Sequence, residues 1–186
     1  RFIGDLYYHG EFLQKNLNKA FDYYVQSADR NDSVAQLYLY QMYNNGQGIN
    51  KDIDKSIKYL KISAENNNTE AINILADKYY QGKGFDKNKN NALNLYIKSS
   101  NLGSALAKYK LAEMYFYGDM VEADKQKAIK LYEESSLNDE MKSIEALGVI
   151  YLTGDGVKQN LSKAIELLTK SADKNLPKSQ YNLALL

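Results

Sequence analysis

The sequence predicts an all-α chain in which pairs of amphipathic helices stack as a solenoid. Three observations carry that prediction: a repeat of constant length, helical spacing of apolar residues within each repeat, and a glycine turn at one place in every repeat. Read against itself at a shift of 36, the chain returns Tyr7, Tyr43, Tyr79, Tyr115 and Tyr151, and equally Gly10, Gly46, Gly82, Gly118 and Gly154. The same register returns a small residue at Ala20, Ser56, Ala92, Ala128 and Ala164, and a serine at Ser27, Ser63, Ser99, Ser135 and Ser171. An insertion would break the rise from one unit to the next, so the constant length indicates units that pack on their neighbours. The units run over about 1–34, 35–70, 71–106, 107–142 and 143–178, and a sixth opens at 179–186.

Each unit begins with a helix. Ala35, Leu39, Met42 and Tyr43 fall on one face at 3.6 residues per turn, and so do Ala107, Leu111, Met114 and Tyr115. A turn follows, clearest in Gly46-Gln-Gly48 and Gly82-Lys-Gly84, where glycine suits the left-handed backbone that closes a helix. Next comes an apolar residue (Leu13, Ile49, Phe85, Val121, Val157) that folds the loop back onto the helices. Asn16, Asp52, Asn88, Asp124 and Asn160 then offer a side-chain oxygen to the free amides of a second helix. That helix carries its own stripe, as in Leu17, Ala20, Phe21, Tyr24, Ser27 and Ala28. The small residues and the serine column are expected at close helix contacts, not as nucleophiles. The tyrosine column is expected in the core, where Tyr115→Ala would cost about 3 kcal/mol.

Composition excludes several functions. The chain of 186 residues is 44% apolar and 25% charged, as a folded domain is, and no apolar run approaches a membrane span. The absence of cysteine removes disulfides, thiolate nucleophiles and cysteine-based zinc sites. Net charge is +1 with lysines scattered among acids, which argues against nucleic acid. Asn31, Asn67 and Asn160 begin Asn-x-Ser/Thr sequons, a number expected by chance in so Asn-rich a chain. The chain starts on Arg1 inside a repeat and ends on Leu185-Leu186 after one helix of another, so it reads as a segment of a longer protein, with further repeats or a partner over the C-terminal edge. Compartment is left open between cytoplasmic and extracytoplasmic or lumenal.

In one frame a repeat reads Ala71-x3-Leu75-Ala76-x2-Tyr79-x2-Gly82-x-Gly84-Phe85-x2-Asn88-x2-Asn91-Ala92. This resembles the Sel-1-like repeat family, related to the tetratricopeptide repeats, over essentially the whole chain. Phe12 and Met120 depart from the pattern, standing where the second loop glycine belongs, so those turns should differ locally or carry strain. Tyr40 departs too, at the small position held by Gly4, Ala76, Ala112 and Gly148. The resemblance implies a right-handed superhelix of antiparallel helix pairs that acts as a scaffold or adaptor for protein complexes. Its relatives serve in endoplasmic-reticulum quality control, chitin-synthase activation, bacterial signalling, host interaction and toxin immunity. Two narrower readings follow, a lumenal adaptor and a bacterial regulator or immunity protein.

In such a superhelix first helices line the concave side, and the positions outside their core stripe vary between repeats. They include Tyr8, Leu37, Gln41, Asn73, Asp77, Tyr80, Leu106, Tyr109, Glu113, Phe116, Glu145 and Val149. The stretch Tyr80, Leu106, Tyr109 and Phe116 is aromatic and apolar, as protein interfaces favour. The competing reading is that neighbouring repeats bury these side chains against each other. A protein or peptide is therefore the expected partner, and no cofactor, metal or catalytic residue is assigned. His9 is the single histidine and, beside the first turn glycine, reads as a solvated loop residue. Glu133-Glu134 and Asp139-Glu140 are consecutive and so point about 100° apart on a helix, which does not make a facing acid and base. The turn glycines lack the flanking residues of a phosphate loop. Cysteine-rich relatives have been linked to β-lactams, but this chain lacks those cysteines.

Overall fold

Eleven helices and no strand make up the computed structural model, which describes residues 1–186. They are α1 (Phe2–His9), α2 (Leu17–Ala28), α3 (Ser33–Asn45), α4 (Ile53–Glu65), α5 (Thr69–Gln81), α6 (Lys89–Asn101), α7 (Ala105–Tyr117), α8 (Lys125–Ser136), α9 (Met141–Thr153), α10 (Leu161–Ala172) and α11 (Pro177–Ala184). Odd numbers are the first helices of the sequence repeats and even numbers the second. Two compact units result, residues 1–88 with α1 to α5 and residues 89–186 with α6 to α11. Within each unit every helix packs on the next, and in the second unit α9 also touches α11. No helix is long and apolar enough to cross a membrane.

The turn after each first helix is built as the residues demand. Gly10, Gly46, Gly82, Gly118 and Gly154 close α1, α3, α5, α7 and α9 with φ between +69° and +78°. The loop then folds back, and the amides of Asn16, Asp52, Asn88, Asp124 and Asn160 donate to the carbonyls of Tyr7, Tyr43, Tyr79, Tyr115 and Tyr151 at 2.8–2.9 Å. The side chains of Asn16, Asp52, Asp124 and Asn160 accept from the amides of Lys19, Lys55, Lys127 and Lys163 at 2.9–3.0 Å, capping the next helix.

The two irregular turns resolve differently. Met120 keeps the glycine backbone, with φ +72° against +73°, +74° and +81° at Gly48, Gly84 and Gly156. A side chain in that conformation is strained, so Met120→Gly should raise the unfolding free energy by about 1 kcal/mol in urea titration. Phe12 leaves the left-handed region instead, and its ring lies 83% exposed.

A second recurrent turn is invisible to the glycine pattern because only one of its residues is glycine. Asn31, Asn67, Gly103, Asp139 and Asn175 each take φ between +55° and +92° after a second helix. Asparagine and aspartate tolerate this conformation better than other side chains do. The amides of Asp32, Asn68, Ser104 and Leu176 then return to the carbonyls of Ser27, Ser63, Ser99 and Ser171 at 3.0–3.3 Å. Two of the sequon asparagines, Asn31 and Asn67, thus shape turns, while Asn160 caps a helix.

Each unit has its own core. Ala20, Tyr24, Ala28, Ala35, Leu39 and Met42 cluster in the first, and Ala112, Ala128, Ile129, Tyr132, Leu147 and Ile150 in the second. Small residues on first helices leave room for large ones on second helices. A Cβ at Gly4 would lie 2.8 Å from the Tyr24 ring, and one at Gly148 2.8 Å from Leu168 Cγ. Tyr40 occupies the same column and is buried. The serine column makes the close contacts expected of it: Ser63 Oγ donates to the Ser33 carbonyl at 2.6 Å and Ser135 Oγ to the Ala105 carbonyl at 2.7 Å, tying the end of a second helix to the start of its first.

The tyrosine column corrects the expectation of a core position. Tyr7, Tyr43, Tyr79, Tyr115 and Tyr151 are half-buried, and Tyr7, Tyr115 and Tyr151 flank the clusters instead of lying inside them. Lysine ammonium groups sit over four of their rings: Lys19 over Tyr7 at 5.1 Å, Lys55 over Tyr43 at 5.4 Å, Lys127 over Tyr115 at 3.9 Å and Lys163 over Tyr151 at 4.0 Å. The cause is spacing, since each lysine stands in the first turn of the second helix, where the returning loop brings it over the ring. One core position is imperfect. The buried Ser143 Oγ has no hydrogen-bond partner where other repeats carry Ala35, Ala71 and Ala107, so Ser143→Ala should stabilise by about 1 kcal/mol, read from the urea midpoint.

Candidate functional site

In the first unit the exposed faces of the first helices converge on rings. Tyr8 on α1 donates its hydroxyl to Gln47 Oε1 at 3.2 Å, and its ring lies 5.2 Å from Tyr38 on α3. Tyr38 stacks on Tyr24 at 4.7 Å with an interplanar angle of 1°, and Tyr24 donates to Asp5 at 3.0 Å. Burial, with Asp5 adding to it, pushes the Tyr24 hydroxyl well above its usual range. His9 is exposed, as expected, but it is the last residue of α1 and not part of the loop, which brings it within 3.5 Å of the Tyr38 hydroxyl and against the Tyr8 ring. Gln41, Asp77 and Tyr80 are half-buried. Leu37 and Asn73 are each only 5% exposed, and so add little area to any surface.

The second unit assembles the richer patch. On α7, Tyr109 donates to Glu113 Oε1 at 2.6 Å, and Lys110 holds the other carboxylate oxygen at 3.1 Å. The Tyr109 ring lies 6.0 Å from Tyr132 of α8, and Phe116, two turns along α7, lies 6.4 Å from the same ring. Tyr132 is the buried floor on which both half-exposed rings rest. Burial pushes the hydroxyls of Tyr109 and Tyr132 above the usual tyrosine range, with Glu113 reinforcing the shift at both. Leu106 is half-buried one turn before Tyr109.

Beside Phe116 opens a cavity of about 300 Å³ lined by Phe116, Tyr117, Tyr132, Ala146, Val149, Ile150, Thr153, Asp155 and Lys178. The structure thus brings Phe116 and Val149 together across α7 and α9. Glu145 faces elsewhere: Ser171 Oγ donates to Ser179 Oγ at 2.7 Å, and Ser179 Oγ donates to Glu145 Oε2 at 3.1 Å, tying α9, α10 and α11. Sequence reasoning missed Tyr132, Ile150 and Lys178. A signal for the first existed in the column Tyr24, Tyr96 and Tyr132, the large residues that pack opposite small ones. Lys178 carried none, because its place at the cavity depends on how α11 meets α9.

The Sel1 repeat model matches the chain at residues 1–32, 33–68, 69–104, 105–139 and 142–176. The fold is similar to that of a Sel1 repeat protein from Oxalobacter formigenes, with a TM-score of 0.87 and 28% identity over 95% of this chain and 72% of that one. It is also similar to c5321, a protective antigen of uropathogenic Escherichia coli with an SLR fold, with a TM-score of 0.83 and 26% identity over 99% of this chain and 39% of the antigen. A more distant likeness is to Helicobacter pylori cysteine rich protein B, with a TM-score of 0.53 and 26% identity over 72% of this chain and 96% of that protein. No curated protein matches the chain. With five matched repeats across nearly its whole length and the helical-repeat solenoid fold of its structural neighbours, the chain belongs to the Sel1 repeat family.

Proposed function

We propose that the chain is a non-enzymatic scaffold that holds a partner protein or peptide on the faces of its first helices. Sel1 repeats typically bind proteins, and the fold is generally a scaffold without catalytic activity. The observation that carries the reading is the pair of half-exposed rings Tyr109 and Phe116, seated on buried Tyr132 and bordered by an open cavity. Preorganised aromatic side chains of this kind lose little entropy on binding, which is why they dominate interface energetics.

The test is affinity capture from the native extract with the parent chain and with the Tyr109→Ala/Phe116→Ala double variant. Circular dichroism should first show both to be equally helical. One protein retained by the parent and weakened at least about tenfold in the variant is the expected result. Equal retention by both would move the interface to the second helices or the loops.

A further inference from the structure

We propose that the cavity of the second unit receives a bulky apolar side chain of the partner that is followed or preceded, within two residues, by a carboxylate paired with Lys178. This rests on the scaffold reading and names the chemistry of its partner. The walls are apolar: Phe116, Tyr132, Ala146, Val149 and Ile150 come from α7, α8 and α9, and Tyr117 stands at the edge. A volume of about 300 Å³ is at the small end of ligand pockets, suited to one large side chain and not to a cofactor.

The charges at the rim give the second half. Asp155 is already engaged by Lys125, whose ammonium also lies 5.5 Å from the Phe116 ring centre. Lys178, near the start of α11, forms no ion pair or hydrogen bond through its ammonium group. The rim therefore carries one unmatched positive charge beside an apolar opening. A cationic or purely apolar segment would leave it unmatched, whereas an acidic residue next to the anchor neutralises it. Such rim charges set selectivity among partners more than total affinity.

The experiment is selection of a phage-displayed random dodecapeptide library on the full chain, on Val149→Lys, which fills the cavity, and on Lys178→Glu, an exposed substitution that leaves the helices intact. The expected enriched peptides pair Phe, Leu, Met or Trp with Asp or Glu within two residues. They should not enrich on Val149→Lys, and should lose about tenfold in affinity for Lys178→Glu, whose own selection should favour Lys or Arg beside the anchor. Enriched peptides without acidic bias, or indifferent to Lys178→Glu, would overturn the inference. If those same peptides are lost on Tyr109→Ala/Phe116→Ala, the scaffold reading still holds on its own. A parent chain that enriches no peptide at all would count against both.

Discussion

Tyr132→Ala should lower the unfolding free energy by about 3–5 kcal/mol, the largest loss expected from any single truncation in the second unit. Tyr132 is 3% exposed and belongs to the cluster of Ala112, Ala128, Ile129, Leu147 and Ile150, so removing its ring leaves a void between three helices. The control is Tyr115→Ala, one helix earlier in the same unit. Its ring is half-buried, and with Lys127 over its outer face the loss should be about 1–2 kcal/mol, less than its place in an unbroken column suggests. Urea titrations of the two variants decide it. Equal losses would mean that the tyrosine column, and not the second-helix column, carries the core. Tyr132→Ala should also remove the floor beneath Tyr109 and Phe116 and so weaken partner capture. Tyr132→Phe keeps that floor and should preserve binding.

Gly48→Ala should cost about 3–4 kcal/mol, the sum of two effects that its repeat equivalent separates. Its backbone is left-handed, with φ +73°, which costs a side chain about 1–2 kcal/mol. In addition a Cβ there would lie 2.7 Å from both the carbonyl carbon and the Cβ of Leu17, so the turn after α3 would be forced away from the start of α2. Overpacking of that kind adds about 1–3 kcal/mol. Gly84 has φ +74°, yet a Cβ there meets nothing within 4 Å. Gly84→Ala should therefore lose only the backbone term. A difference near zero between the two would show that the turn of α3 can move off α2 freely.

Much of this architecture was legible because a solenoid repeats its constraints. A left-handed turn, a capping oxygen and a close helix contact each restrict residue type strongly, and five copies in phase made each restriction visible as a column. Gly46, Asp52 and Ser63 could be given their roles from spacing alone, and the backbone returns from Asp52 to Tyr43 as that spacing requires. The turn at Asn31, Asn67, Gly103, Asp139 and Asn175 was less legible, because three residue types satisfy the same φ and no single letter fills all five places. The candidate site lay between these cases. Tyr109, Phe116 and Val149 were chosen as first-helix positions off the core stripe, and each keeps part of its surface exposed. Leu37 and Asn73 met the same criterion and are buried, and Glu145 is turned inward to Ser179.

By itself, then, the sequence determined the helices, the glycine turns, the caps of the second helices and the repeat family, all of which follow from local backbone preferences and short-range periodicity. Tertiary structure alone decided which off-stripe residues reach solvent, which ring serves as floor and which lysine stands at the cavity. Those outcomes depend on the volumes that facing helices bring together, as when Gly4 admits Tyr24 and Gly148 admits Leu168, and a volume match across helices leaves no periodic mark on either helix.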